Sequence, residues 1–466
     1  MKQCSKIKML LIINLFVLSL TGCDDDDDDT SATQESITNE EVVELAEPSD
    51  ASDEYFPGPR EVEFREQVYN REIEFGILDI DEDGFLSDSE YNGPWKMFQE
   101  MDTNGDNELS LDEAKYMMTF SDIPEGSFIM GSDVPIQAFF EPATDSGPAH
   151  QVNIDGFKMS ATEVTTAQYT LYLNSALEAG EIEVKLDTVS GPQTRLYYPV
   201  PAYVVEGAVG TEYAGLPYIH LSPVGPLSHT QAENSPLLIP EHPLNISWIE
   251  YVPELNKFYT RLGFEDWPAV HIKWWGAMAF ANHYDLSIPT EAEWEYAASG
   301  GANNQFKFAT SDGSNGCQRA NYKCYNVEQL PYFEGADTPD EYIGFRMTVG
   351  SYPPNPYGIY DLAGNIWEWN LDWYSDHFYQ DIVDNGIISN PVNLEGEEAP
   401  MDGSATGGPG QDFSHDARVT RGGSYNYHEP VTRTAYRFPV YSFIGNDHFG
   451  MRVVERSPTV VFNGTE

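Results

Sequence analysis

The chain has 466 residues with 76 acidic against 24 basic side chains, a net charge of −52. Such a surface repels nucleic-acid phosphates, so no nucleic-acid partner is expected, and cations are its natural counterparts. Hydrophobic residues reach 41%, enough for a sizeable core, and the length calls for two or more domains.

Lys2, Lys6 and Lys8 precede the apolar run Met9 to Leu20, too short for a comfortable span and suited to a signal peptide over 1–22. Leu20-Thr21-Gly22-Cys23 resembles the bacterial lipoprotein cleavage box. On that reading Cys23 is lipidated and anchors the protein to a membrane in the bacterial cell envelope, facing the periplasm or the cell surface. Residues 23–58 open with six aspartates, continue rich in Asp, Glu, Ser and Thr, and read as an acidic disordered tether. Only Cys317 and Cys324 remain beyond Cys23; in an exported protein they can close a disulfide loop.

The region 59–120 reads as a small α-helical calcium-binding pair. A helix is expected over 60–78. Asp79, Asp81, Asp83, Phe85, Ser87 and Glu90 hold the ligand places of a twelve-residue EF-hand loop, with Gly84 at its sharp turn. Phe85 offers its carbonyl, and Glu90 closes the site with both oxygens. A second loop places Asp102, Asn104, Asp106, Glu108, Ser110 and Glu113 in the same roles. Asn107 stands where glycine is usual, and asparagine tolerates a left-handed backbone better than most residues. Gly93-Pro94 should distort the helix linking the loops.

From Ile123 short apolar stretches alternate with Gly, Pro and Asn turns, an α+β, loop-rich texture. Helices are expected at Trp275 to Tyr284 and after Thr290, where Thr290 and Glu293 form a capping box. Segments 176–262 and 393–416 read as loop-rich insertions.

Ordered motifs then accumulate. They are Ile123-Pro124-Glu125-Gly126-Ser127-Phe128, Glu163-Val164-Thr165, Pro268 to Trp274, Pro289-Thr290-Glu291-Ala292-Glu293-Trp294-Glu295, Asn355 to Trp369, Arg421-Gly422-Gly423-Ser424 and Phe449-Gly450-Met451-Arg452. Together they resemble the sulfatase-modifying factor family, whose best-known member is the formylglycine-generating enzyme. The resemblance implies a C-type lectin-like α+β domain over 121–458. The family's chemistry is oxidation of a substrate cysteine by oxygen at a copper ion held by two cysteine thiolates. The positions matching those cysteines are Tyr427 and Thr432, whose hard, weakly acidic hydroxyls are poor ligands for Cu(I). Copper is not expected. Trp367, Ser424 and His428 match residues around the family's site, so a vestigial pocket of Trp367, Ser424, Tyr427, His428 and Thr432 is expected without a catalytic centre. Relatives that use iron hold it by a histidine triad, and His271, His283 and His428 are the histidines considered for one here.

The resemblance also implies a structural calcium site at Asp361, Gly364, Ile366 and Glu368, with a further one near Asn321 and Glu341. Two readings of the Arg421 to Arg437 stretch stay open. Tyr425, Tyr427, His428, Arg433, Tyr436 and Arg437 form a recognition patch for a protein, peptide or glycan; or Arg421, Arg433 and Arg437 make structural ion pairs. The functional expectation is a membrane-anchored, calcium-binding lipoprotein whose domain binds a ligand or partner without catalysis. The alternatives are a metal-dependent oxidoreductase of the formylglycine-generating type and a structural component of an envelope export or motility assembly.

Overall fold

The two acidic loops come first and build one unit. Helix α1 (Arg71–Leu78) runs into the first loop, which ends in β1 (Phe85–Ser87). Helix α2 (Trp95–Met101) runs into the second loop, which ends in β2 (Glu108–Ser110). β1 and β2 pair antiparallel with Leu86 opposite Leu109, and both leucines are fully buried. The segment between the loops is helical only from Trp95, because Pro94 precedes it as the cap residue with an extended ψ of 130° and has no N–H to extend a helix backwards. Gly93 is required there, since a Cβ would lie 2.3 Å from the Met118 carbonyl and the Tyr91 hydroxyl.

This computed structural model describes residues 71–138, 141–143, 145–191, 196–222, 247–323, 345–401 and 416–463, all within the unit Tyr55–Glu466. The expected signal segment, Cys23 and the acidic tether lie outside the described residues. Among those residues no helix is long and apolar enough to cross a membrane.

The larger part opens with β3 (Phe120–Ile123), β4 (Gly126–Met130), β5 (Ile136–Ala138), β6 (Glu141–Ala143), β7 (His150–Ile154) and β8 (Phe157–Ser160). Helix α3 (Thr166–Ala179) follows, with a complete capping box of Thr165 and Gln168 and left-handed Gly180 at its end. Next come β9 (Ile182–Gly191), β10 (Leu196–Gly207), β11 (Pro217–Leu221), β12 (Ile249–Val252) and β13 (Lys257–Thr260). Helices α4 (Trp274–His283) and α5 (Glu291–Ala298) lie close to their expected bounds, and Thr290 and Glu293 cap α5 reciprocally. The chain ends with β14 (Trp367–Trp373), α6 (Phe378–Asn385), β15 (Arg418–Arg421), β16 (Phe438–Val440), β17 (Phe449–Gly450) and β18 (Val454–Arg456).

The central sheet has the order β16-β15-β14-β17, and β18 returns to pair with β8 beside β3. The stretch 176–262 corrects the loop-rich expectation, because β9, β10 and β11 form a three-stranded antiparallel sheet. Prolines at 199 and 201 hide β10 in the sequence, and the ladder accommodates them with a register shift between Leu196 and Val200. In 393–416 the described residues 393–401 and 416 carry no helix or strand, and 402–415 lie outside the described set.

One core crosses the boundary drawn at 120–121. Phe75, Met97, Phe98 and Met101 share an apolar cluster with Tyr172, Phe280 and Tyr284. Polar contacts reinforce it. Glu100 on α2 accepts from Ser175 (2.5 Å), Tyr284 (2.8 Å) and the His283 ring (3.0 Å). The second loop begins at Asp102, the cap residue of that same helix. Glu100→Ala strips three buried donors of their acceptor, and we expect it to cost about 2–3 kcal/mol, read as a lower urea midpoint with an unchanged slope.

Candidate functional site

The stretch Arg421 to Arg433 turns sharply out of β15. Gly422 and Gly423 both take positive φ, 93° and 76°, where a side chain would be strained. A Cβ on Gly423 would meet the Thr432 methyl at 2.9 Å. The turn is pinned from outside: Gly364 N–H donates to the Gly422 carbonyl (2.8 Å), and Tyr425 N–H donates to that of Asn365 (3.0 Å). Ser424 is fully buried and its hydroxyl has no hydrogen-bond partner among the described residues.

The expected pocket residues do assemble around this turn. The Tyr427 ring meets Trp367 edge-on at 5.4 Å, and Trp367 stacks on Phe438 at 4.9 Å. Tyr427 also packs at 5.5 Å from His448, a neighbour that sequence reasoning missed. Thr432 is buried, and its hydroxyl donates to the Glu429 carbonyl (2.9 Å). His428 is half-buried, and burial, then the nearby Lys323, lowers its pKa. Neither position 427 nor 432 offers a sulfur, and both side chains pack against their surroundings. The residues at these positions do not fit a Cu(I) centre.

The recognition patch is corrected by burial. Tyr425 and Tyr436 are 5% and 4% exposed, and Arg437 is 1% exposed. Arg437 forms a two-pronged pair with Glu291 (2.7 and 2.9 Å), and Arg421 pairs with Glu295. Tyr425 donates to Asp447 (2.6 Å). These cations are consumed inside the protein, as the ion-pair reading had it. Arg433 remains half-buried near Glu429 (3.8 Å).

The expected calcium turn is partly corrected too. Both oxygens of Glu368 are engaged, by Arg452 (2.7 Å each) and by the Trp294 indole (2.7 Å), so this carboxylate is not free for an ion. Asp361 is buried and accepts from the Gly350 N–H, and burial pushes its carboxyl up to about 7. Glu163, which sequence reasoning did not assign, lies beside it. Burial, then the neighbouring Asp361 and Glu368, raises its pKa well above the usual range, and Asn365 donates to both its oxygens (3.1 Å each). Three buried carboxylates therefore share one arginine, an excess of negative charge that suits a hard cation. Gly364, at φ 87°, passes so near the Asn321 carbonyl that a Cβ would sit 2.1 Å from it. Asn321 itself donates to the Phe345 carbonyl and the Asn365 side chain, and Glu341 lies outside the described residues.

The three histidines considered for a triad occupy separate settings. His271 is buried near Asp447 and Lys273, His283 lies against Glu100 and Glu181, and His428 lies by Lys323. Among the described residues, the only group of three or more potential His, Cys, Asp or Glu ligands is Asp79, Asp81 and Asp83, with atoms within 4.8 Å of one another. Cys317 is disulfide-bonded; its expected partner Cys324 lies outside the described residues.

The acidic loops repeat one hydrogen-bond pattern. Asp79 accepts from Asp83 (3.1 Å) and Gly84 (3.0 Å), and Asp102 accepts from Asp106 (3.2 Å) and Asn107 (2.9 Å). Glu90 accepts from Ile80 (2.9 Å) and Ser87 (2.9 Å), and Glu113 accepts from Thr103 (3.2 Å) and Ser110 (3.1 Å). Gly84 and Asn107 both adopt positive φ, 89° and 65°, so asparagine does fill the glycine role.

A model of the family "sulfatase-modifying factor enzyme 1-like domain" matches residues 107–457. The formylglycine-generating enzyme of Mus musculus is 28% identical over 310 residues, 66% of this chain and 66% of that enzyme. The enzyme of Bos taurus is 29% identical over the same shares, so the match spans just under two thirds of these relatives' length. The serine/threonine-protein kinase pkn1 of Chlamydia pneumoniae is 34% identical over 192 residues, 41% of this chain and 24% of the kinase. Among solved structures, PvdO from Pseudomonas aeruginosa aligns with a TM-score of 0.39 and 21% identity, covering 72% of this chain and 94% of that one.

Glu368→Gln would take from buried Arg452 the carboxylate that it grips with two hydrogen bonds, leaving only the more distant charges of Glu163 and Asp361. We expect a loss of about 3–5 kcal/mol, measured by urea unfolding followed by tryptophan fluorescence.

Proposed function

We propose, from the premise that this chain belongs to the sulfatase-modifying factor enzyme 1-like family, that it is a calcium-stabilised, membrane-anchored lipoprotein of the bacterial envelope whose family domain binds a protein, peptide or glycan without oxidising it. One observation carries the non-catalytic part. The two places where the family resemblance requires thiolates are filled by Tyr427, wedged against Trp367, and by Thr432, hydrogen-bonded to Glu429. Neither group is a soft donor.

The calcium part is supported by the acidic loops. Their donor set is all oxygen, it lies on two turns with matching backbone hydrogen bonds, and the loops are joined by the Leu86–Leu109 pairing. Asp79, Asp81, Asp83, the Phe85 carbonyl, Ser87 and Glu90 would hold one ion. Asp102, Asn104, Asp106, the Glu108 carbonyl, Ser110 and Glu113 would hold the other. Asp361 and Glu163 would hold a third, joined by the carbonyls of Gly364 and Ile366. Because α2 runs from the Glu100 contacts directly into Asp102, an ion in the second loop would brace the larger part of the domain. That favours a structural role over a sensing one. The anchor rests on the lysines, the apolar run and Leu20 to Cys23.

Two measurements test this reading. Chelation should lower the melting temperature, and the paired change Glu90→Gln with Glu113→Gln should remove most of the calcium-dependent increment. At about 100 times the dissociation constant, bound calcium contributes roughly 2.7 kcal/mol. Equal melting curves with and without chelator would sink the calcium part. Elemental analysis of purified protein should find calcium but no stoichiometric copper, whereas Tyr427→Cys with Thr432→Cys should gain Cu(I) binding. Oxygen-dependent oxidation of a cysteine peptide by the wild type would overturn the non-catalytic part.

A further inference from the structure

A second polar cluster lies away from the acidic loops and takes no part in the reading above. It gathers at the N-terminus of α4 from three distant segments. Lys273 is the cap residue of that helix, and its backbone N–H donates to the Tyr218 carbonyl (3.0 Å). The N–H of His271 donates to the Asn446 carbonyl (2.8 Å), and that of Trp274 to the Ser442 carbonyl (3.1 Å). A Cβ built on Gly445 would lie 2.5 Å from the His271 carbonyl and 3.2 Å from the Lys273 ammonium, so glycine alone lets this loop close over the amine. His271 holds a left-handed backbone, φ 63°, which a non-glycine residue adopts only when its surroundings impose it.

The side chains of this cluster are buried, and most are unsatisfied. Lys273, His220 and Ser442 are 0–1% exposed, and His271 and Asn446 are 3–4% exposed. The Lys273 Nζ, His220 Nδ1, Ser442 Oγ and Asn446 Nδ2 have no hydrogen-bond partner among the described residues, while the His271 ring lies against the Gly445 carbonyl and near the Asp447 carboxylate. The Lys273 ammonium, the Ser442 hydroxyl and the Asn446 amide nitrogen can all donate, and each neutral imidazole offers one N–H; the Asn446 amide is oriented by His448 N–H, which donates to its oxygen (3.2 Å). No carboxylate pairs with Lys273 among the described residues, whereas the buried arginines 421, 437 and 452 each face a glutamate. Burial lowers the Lys273 pKa to about 7, and His220 is held well below its ordinary value by burial, then by Lys273 and His271. A lysine inside the cluster repels a metal cation.

We propose that Lys273, His271, His220, Ser442 and Asn446 enclose a buried binding site for one small monovalent inorganic anion of the halide class. The anion supplies the counter-charge the ammonium lacks and accepts the inward-facing donors. The positive end of the α4 dipole adds to the same field. The site would lock the loop Ser442 to Asn446 onto α4, and His448, two residues further on, packs against Tyr427 in the family pocket.

The test uses the full chain. Thermal unfolding is followed in sodium chloride against sodium gluconate at constant ionic strength and constant calcium. Crystals are soaked in sodium bromide and measured at the bromine edge. The site predicts an anomalous peak within hydrogen-bond distance of the Lys273 Nζ, and a melting midpoint that climbs by roughly 1–2 °C for each tenfold rise in chloride above the dissociation constant. Lys273→Met should abolish both signals. Asn446→Asp keeps the shape, sets a carboxylate beside the ammonium in the anion's place, and should also abolish them; it decides the matter alone if the lysine variant does not fold. Ordered water only at the site, or a chloride increment that survives Asn446→Asp, overturns the proposal.

Discussion

The larger part of this protein is held together by the glutamates of one short helix. Glu291, Glu293 and Glu295 on α5 each receive an arginine from the C-terminal end of the chain. Arg437 takes Glu291, Arg456 takes Glu293 and Arg421 takes Glu295. Glu368 on β14 takes Arg452 in the same way. Burying such charges unpaired would cost several kcal/mol each, so the pairs make the arrangement of α5 against β15 and the terminal strands close to obligatory. They also explain how a chain with so few cations can spend several of them in its interior. Each stands where a carboxylate has already been buried.

That constraint shapes the pocket. Arg421 ends β15 and fixes where the Gly422-Gly423 turn leaves the sheet, and Arg437 fixes where the chain returns just before β16. The loop between the two anchors is set from both ends, with Gly422 and Gly423 required where it leaves the sheet. Tyr427 and Thr432 can stand where thiols would be without disturbing the frame, because their backbone is set from both ends. Family membership alone therefore does not assign an activity here.

Legibility in the sequence tracked the range of the interactions. The turns of the acidic loops were legible because the expected ligand places fall within twelve positions of one another, and the observed left-handed backbone at Gly84 and Asn107 follows that local logic. The α5 capping box is likewise local. The pairs of Arg421 and Arg437 were visible only as one of two open readings, and that of Arg456 not at all, since they join residues 126, 146 and 163 positions apart. The β9–β11 sheet was hidden by prolines that its register shift absorbs. Glu368 looked free from its turn because Arg452 arrives from 84 positions away, while Glu163 looked unremarkable until the fold set it beside Asp361.

The same logic places the Lys273 cluster beyond any reading of the sequence, since its members come from β11, the start of α4 and the loop before β17. What sets it apart is the sign of its imbalance. The turn at Glu163, Asp361 and Glu368 buries more negative charge than its arginine answers, and the Lys273 cluster buries an ammonium that no carboxylate among the described residues pairs with. A folded interior tolerates neither condition for long without protons, water or ions to restore neutrality. Protonation is cheap for a carboxylate already raised towards neutral pH, and loss of a proton is cheap for a lysine lowered to about 7. An ion of the opposite sign restores neutrality in either place while satisfying the hydrogen-bonding groups as well, which a proton gained or lost does not.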